Sequence, residues 1–243
     1  MYRFFMNQFR QDVVTLDGEQ HHHLSRVLRA RPGEELELVF SDGVICRAII
    51  SSMDNDSTNL DVLEELPGHE LPVHITLFQG LPKSDKMELI IRKTVELGVS
   101  AIIPLEMTNS VVRYDDKKKK GRLERWQKIA ESAAKQAGRD HVPPVNEFST
   151  IRELVGCAEQ FDAILVPYEG AQSMRQTRQV LERISVGSRI AIVIGPEGGF
   201  ASDEIIALRE AGAEIISLGK RILRTETAGL YILSVLGYLK EEE

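Results

Sequence analysis

From residue 73 onward, strand-length apolar runs alternate with helix-length amphipathic segments, and few folds accept that alternation. "VHITLFQGL", "SAIIPLEM", "FDAILVPYEG", "SRIAIVIG" and "AEIISLG" read as strands. Between them, "SDKMELIIRKTVELG" carries apolar side chains at 87, 90, 91 and 95, with Gly98 placed as a C-cap. "GRLERWQKIAESAAKQAG" has a stripe at 123, 126, 130, 133, 134 and 137. "ASDEIIALREAG" and "ETAGLYILSVLGYL" complete the helices. Alternation of this kind predicts an α/β fold, a mostly parallel sheet with helices on both faces.

Residues 1–71 read differently. "EELELVF" ends at the turn signal Ser41-Asp42-Gly43, "VICRAII" follows at hairpin distance, and "LDVLEEL" comes after a polar turn. That predicts a small β-rich domain over 1–71 and an α/β domain over 72–243. "LPGHELP", residues 66–72, is the linker.

No apolar run reaches the roughly 18 residues of a membrane span, and the first residues lack the apolar core of a signal peptide. Cys46 and Cys157 match no metal or redox spacing. A reduced, cytoplasmic setting is expected. The net charge of −7 argues against indiscriminate nucleic-acid binding. The charge is uneven, however. Residues 113–141 hold ten Lys/Arg against five acids, and residues 1–31 hold five Arg against three. Such basic islands can bind a polyanion.

Gly195-Pro196-Glu197-Gly198-Gly199 follows an apolar strand, at the sheet edge where α/β folds bind ligands. The loops at 166–170 and 219–226 can share that edge. Neither G-x-G-x-x-G nor G-x-x-x-x-G-K-[ST] is present. Pro196 removes an N–H that a phosphate cradle would use, and Glu197 repels pyrophosphate. The loop suits a ligand without phosphates, such as an adenosine carrying an amino acid. A tight turn with Ser202 as N-cap, and Asp203 and Glu204 facing the helix dipole, also accounts for these residues. In "LGKRILRTETAGL", Ile222 and Leu223 lie between Lys220, Arg221 and Arg224. Two aliphatics in a basic loop suit either a planar base or the domain core. Thr225 or Thr227 is placed to cap the last helix.

"IGPEGGF" followed by "LGKRILRTETA" resembles the SPOUT superfamily of RNA methyltransferases, and within it the ribosomal RNA small subunit methyltransferase E family. "HHHLSRVLRARPGEEL", "GLPKSDKMELIIRKTVELGVSAIIPLEMTNSVVR" and "RWQKIAESAAKQAGR" are similar to that family's segments, so the resemblance runs from about residue 20 to 240. One departure is Lys135-Gln136-Ala137, where the family often has Glu-Gln-Ser. The resemblance implies an N-terminal PUA-like β-barrel for RNA and a SPOUT domain with a C-terminal trefoil knot. It implies a homodimer that binds S-adenosylmethionine and methylates N3 of uridine 1498 in 16S rRNA of the assembled small subunit. It places the cofactor on Leu165, Val166, Pro167, Ile194, Gly195, Pro196, Glu197, Gly198, Gly199, Leu218, Gly219, Ile222, Leu223, Arg224, Thr227 and Ala228.

Removing the N3 proton leaves negative charge on the pyrimidine, which a fixed cation stabilises. Arg113 and Arg224 are the candidates, and either also suits a phosphate or a structural carboxylate. Glu226 is a candidate base, or a partner for Arg224. The target edge is masked in paired RNA, so the base must be unpaired or flipped. His22, His23, Arg26, Arg29, Arg31, Arg113 and Arg139 are the expected RNA contacts, with Lys117–Lys120 and Arg122 as further phosphate ligands. Consecutive histidines do not converge on one metal, so His21-His22-His23 predicts no metal site. The last helix is apolar nearly all round and needs burial on several sides, in core and in a dimer interface. Two other readings are an assembly factor that binds RNA without catalysis and a nucleotide enzyme of the doubly wound type. The intact loops speak against the first, and Pro196 with Glu197 against the second.

Overall fold

The computed structural model describes residues 2–171 and 173–241. It forms two compact units. One runs to Glu70 and takes in Gly138–His141; the other comprises Leu71–Ala137 and the chain from Val142 onward. A single cut at 71/72 therefore misses a four-residue return to the first unit.

In the first unit, β1 (Tyr2–Phe5), β2 (Val13–Asp17), β3 (Glu35–Val39), β4 (Ile45–Met53) and β5 (Ser57–Leu66) form one mixed sheet in the order β1-β3-β4-β5-β2. The sheet curls around Leu16, Leu24, Leu36, Leu38, Cys46, Ala48, Ile50 and Leu60, all buried. Register shifts at Arg47/Ala48 and Ile50/Ser52 bend β4. No hydrogen-bonded ladder joins β1 to β2 among the described residues, so the expected barrel is a PUA-like half-barrel. Helix α1 (Gly18–His22) runs on into a wider π turn, His23–Val27. His21 is buried there, its Nδ1 2.9 Å from Thr58 Oγ1 and its Nε2 3.1 Å from Asn55 O.

The return at Gly138–His141 is held by buried charge. The guanidinium of Arg3 donates to Asp140 Oδ1 at 2.8 Å, to Arg139 O at 3.0 Å and to the Gly138 carbonyl, and pairs with Glu37 at 2.6 Å. Arg139 Nε donates to both oxygens of Glu70 at 2.9 Å, and Asp140 N donates to Glu70 Oε1 at 2.7 Å. Burial pushes the Glu70 carboxyl up, but hydrogen bonds from His141 and Arg139 outweigh it and hold the carboxyl at about 2, against an ordinary 4.5. A lowered carboxylate pKa stabilises the fold above the unfolded value, and the gain is lost as pH falls toward the folded one. Glu70 thus contributes about 3 kcal/mol near neutrality, lost progressively below about pH 4.5. Hydrogen exchange of the β3–β4 amides in wild type and Glu70→Gln between pH 6 and pH 2.5 checks this. The two proteins are expected to converge as pH falls; a constant gap would refute the assignment.

The second unit has a six-stranded, all-parallel sheet in the order β11-β9-β10-β6-β7-β8. Its strands are β6 (His74–Gly80), β7 (Ala101–Glu106), β8 (Ser149–Thr150), β9 (Ala163–Pro167), β10 (Arg189–Ile194) and β11 (Glu214–Ile216). Helices α2 (Lys86–Glu96), α3 (Asp116–Ala137), α5 (Met174–Arg183) and α7 (Thr225–Lys240) pack on Ile75, Leu77, Leu165, Ile190 and Ile192. Helices α4 (Ile151–Gly156) and α6 (Ser202–Glu210) cover Phe78, Ile164, Val166, Ala191 and Val193 on the opposite face. Alternate residues of one strand feed the two layers, as a sheet buried on both sides requires. Gly98 sits past the end of α2 at φ +91 and donates to Val95 O at 3.2 Å.

On α7, Ile232, Leu233 and Leu236 are fully buried, while Tyr238 is 87% exposed. No helix among the described residues is long and apolar enough to cross a membrane.

Candidate functional site

The direction in which successive strands are added to the sheet reverses between β6 and β10. From β6 the chain steps outward to β7 and β8; it then returns through β9 to lay β10 against β6. At such a switch point neighbouring loops diverge and leave a crevice at the carboxyl ends of the strands. Four loops meet at that edge: 81–85 after β6, 168–171 after β9, 195–201 after β10 and 217–224 after β11. Three of them were legible as candidates in the sequence. The fourth, 81–85, was not.

Loop 81–85 is tied to the glycine loop. The Glu197 carboxylate accepts from Lys83 N at 3.1 and 3.2 Å and from Lys86 Nζ at 2.9 Å. Burial pushes the Glu197 carboxyl up; the Lys86 ammonium and backbone N–H groups more than offset it, and the net direction is down. The hydrogen bond that Lys86 donates to Glu197, together with the neighbouring Glu226 carboxylate, raises the pKa of Lys86. Its ammonium lies 3.2 Å from Glu226 Oε2. So Glu197 is committed first to a neighbouring loop of its own chain.

The glycines also have protein neighbours. A Cβ on Gly198 would stand 2.8 Å from the Asn109 carbonyl, and one on Gly195 would stand 3.0 Å from the Phe200 ring. Gly199 takes φ +68 in a turn closed by its N–H on Pro196 O at 2.9 Å. At this edge the closest approach involves Gly80, at the end of β6, whose Cβ would meet Pro196 N at 2.6 Å. Close approach of a ligand is thus not what demands glycine at 195 and 198; close approach of protein is.

Loop 217–224 is joined to the same point by Thr225. Its hydroxyl donates to Gly195 O at 2.7 Å and accepts from Gln79 Nε2 at 2.9 Å. Gln79 is fully buried, and its Oε1 has no hydrogen-bond partner among the described residues. Thr225 is therefore not the cap of α7. Arg224 occupies the cap position, with Thr227 N and Ala228 N donating to its carbonyl at 2.8 and 2.9 Å. Ser202 is likewise not a cap. Helix α6 is capped by Glu204, whose Oε2 accepts from Ala201 N at 2.8 Å while Oε1 accepts from Thr108 N at 2.8 Å.

Leu165, Val166 and Pro167 end β9, and Ile194 ends β10, all at this edge. Pro196 and Ala228 are buried, and Leu218 and Gly219 are half-buried. The two aliphatics of the basic loop divide. Leu223 packs on the domain core, and Ile222 is 85% exposed. Arg224 and Thr227 are exposed, and Glu226 is held beside Lys86. Arg113 is exposed in the segment between β7 and α3.

In the first unit His22, His23, Arg26, Arg29 and Arg31 are all exposed on or after α1, with Arg29 at φ +56. His23 packs edge-on against Phe4. Arg139 does not join them. It is 4% exposed and its guanidinium is held by Glu70, so the expectation that it contacts RNA is corrected to a structural role. The lysine run is also divided. Lys117, Lys118 and Lys120 are exposed, but Lys119 pairs with Glu106 at 2.7 Å and lies over the Phe148 ring. Arg122 lies over Tyr114. No cluster of His, Cys, Asp or Glu that could hold a metal occurs among the described residues.

Comparison with known proteins places both units. The RNA methyltransferase domain family matches residues 69–237, and the RNA methyltransferase PUA domain family matches residues 16–63. Ribosomal RNA small subunit methyltransferase E of Bacillus subtilis is 36% identical, over 99% of this chain and 98% of its own length. The Mycobacterium bovis protein of the same name is 32% identical, over 93% of this chain and 87% of its own. A Neisseria gonorrhoeae ribosomal RNA small subunit methyltransferase E, solved bound to S-adenosylmethionine, is 33% identical. It superposes with a TM-score of 0.79 over 98% of both chains.

Proposed function

Because the chain belongs to the ribosomal RNA small subunit methyltransferase E family, we propose that it methylates N3 of uridine 1498 in 16S rRNA of the assembled small subunit. At the coarser level it is an S-adenosylmethionine-dependent methyltransferase of ribosomal RNA. The observation that carries the reading is the meeting of four loops at the β6/β10 switch point, in a chain whose two units each match a part of the same family.

The residues at this edge suit the donor. Exposed Ile222 and half-buried Leu218 offer apolar cover for a base. Gly219, at φ +110, has open space beside its α-carbon. Gln79 Oε1 is a buried acceptor still without a donor. Glu197, Glu226 and Lys86 together carry a net negative charge that favours a cationic ligand. When bound, S-adenosylmethionine supplies an electrophilic sulfonium methyl. The chain's task is to hold the acceptor in line, which is worth roughly 7–11 kcal/mol of barrier, and to stabilise the charge left when N3 loses its proton.

Arg224 and Arg113 are exposed cations suited to the pyrimidine oxygens. Glu226 is already engaged by the Lys86 ammonium, 3.2 Å from its Oε2, so we assign it to the wall of the site rather than to the base. His22, Arg26, Arg29 and Arg31 of the half-barrel, with Lys117, Lys118 and Lys120 of the second unit, are the phosphate ligands in this reading. A homodimer would cover Tyr238 and Leu239 of α7, which are exposed in one chain. The trefoil knot and a cytoplasmic setting belong to the same reading.

Small subunits lacking the modification, incubated with the protein and labelled methyl donor, are expected to carry label on N3 of that uridine by mass spectrometry. Label elsewhere, or none, refutes the assignment. Arg224→Ala is expected to lower kcat by about 10²–10³-fold, the usual loss for one charge-stabilising donor, while donor affinity stays within threefold. A loss of donor binding instead would make Arg224 a cofactor ligand.

A further inference from the structure

We propose that Lys86 is a positioning residue for methyl transfer: its ammonium ties Glu197 of the glycine loop to Glu226 in the first turn of α7, directly after the loop that follows β11, and sets the distance between them. The proposal rests on reading this edge as the donor pocket.

Lys86 is the first residue of α2, directly after loop 81–85. Its Nζ stands 2.9 Å from Glu197 Oε1 and 3.2 Å from Glu226 Oε2. The three side chains are 28%, 26% and 17% exposed, so water screens the contacts only in part. Glu226 Oε2 is buried and has no aligned hydrogen bond; among the described residues its ion pair is with Lys86. Removing the ammonium would leave that carboxylate buried beside a second one. Stranding a charge in this way is among the larger single-site penalties a fold can meet. The site relaxes by moving Glu226 outward, and Glu226 adjoins Thr225, whose hydroxyl fixes Gly195 O. The two loops would then part where both must touch one ligand.

The backbone of loop 81–85 supports the same reading. Ser84 takes φ +57, a left-handed conformation that a serine keeps only where its surroundings enforce it. Lys83, just before it, through its N–H, and Lys86, two residues after it, through its ammonium, are both anchored on the Glu197 carboxylate. One carboxylate thus holds a strained turn, and through Lys86 that turn reaches the start of α7. A lysine on a long flexible stem usually contributes little through one surface pair. Here it joins three segments far apart in the chain.

Hydrogen exchange on the full, ligand-free chain tests the clamp directly. In Lys86→Met, amides of 195–200 and 217–227 are expected to exchange about tenfold faster, with β7 unchanged. Calorimetry is expected to show S-adenosylmethionine and its demethylated product both bound about tenfold more weakly, because a lost clamp affects both equally. KM for the donor should rise in step, with kcat within threefold. Lys86→Arg, which keeps a cation able to span both carboxylates, should restore binding to within threefold of wild type. Glu226→Gln removes the partner instead of the lysine and should release the same amides; combined with Lys86→Met it should add little, since both break one contact. Wild-type exchange in Lys86→Met overturns the proposal. So does a variant that binds the donor more tightly relative to the product, the signature of charge alone. If the wild-type chain binds no S-adenosylmethionine, the functional reading fails, while the exchange data still decide the role of Lys86.

Discussion

Gly80→Ala is expected to separate the end of β6 from the glycine loop and to remove donor binding. An added Cβ would stand 2.6 Å from Pro196 N, 2.8 Å from Pro196 Cδ and 2.9 Å from Gly195 C. These are backbone and ring atoms, so no rotamer change relieves the clash. Either the strand end or the loop must move, which pulls Gly195 O from Thr225 and Glu197 from Lys83. Overpacking of this kind costs about 2–3 kcal/mol, and here it falls on the pocket's own walls. The methyl donor should bind at least tenfold more weakly by calorimetry, and the melting temperature should drop. Gly156→Ala is the control, because a Cβ there meets nothing within 4 Å. Wild-type affinity in Gly80→Ala would mean the loop can retreat without consequence for the pocket.

Asp140→Ala is expected to destabilise the half-barrel unit by about 2–3 kcal/mol, below the roughly 3–5 kcal/mol of leaving one member of a buried ion pair wholly uncompensated. The Arg3 side chain is 9% exposed and that of Asp140 is 6% exposed. Asp140 also accepts from His69 N and lies 3.1 Å from His69 Nδ1. Alanine therefore leaves the buried guanidinium and the His69 backbone N–H each short of an acceptor at once. Glu37 still holds Arg3 at 2.6 Å, which keeps the loss below that of an isolated charge. Exchange of the β1 and β3 amides should accelerate. Asp140→Asn keeps the acceptor without the charge and should recover part of the difference. Equal exchange in wild type and Asp140→Ala would show that Glu37 alone suffices for Arg3.

The second unit was legible wherever an element buries a simple periodic face. Strand β10, "RIAIVI", and helix α2, with Met87, Ile90, Ile91 and Val95 inward, announce themselves. Helix α5 did not. Most of "MRQTRQVLER" is polar, and only Thr177, Val180 and Leu181 are buried. Helix α4 is six residues long, too short for its period to register.

The site was legible as loops and not as contacts. Gly195 and Gly198 draw attention as glycines, but what they make room for, Phe200 and Asn109, is visible only once the chain is folded. Lys86 reads as an ordinary helix-surface lysine, because its partners lie 111 residues away at Glu197 and farther still at Glu226. Arg139 reads as one more cation of a basic island for the same reason: Glu70, which buries it, belongs to the linker. Local pattern reveals which face an element hides; it carries no record of a charge whose partner comes from elsewhere in the chain.

The return of Gly138–His141 to the half-barrel has a consequence for modularity. A gene fragment ending at the linker would encode five strands and yet omit Asp140 and Arg139, leaving Arg3 and Glu70 without their buried counter-charges. The small domain is therefore not a cassette that can be cut out, transplanted or exchanged between enzymes as one contiguous stretch. Its inheritance is bound to the tip that follows α3, and a substitution on either side of that junction constrains what the other side can tolerate.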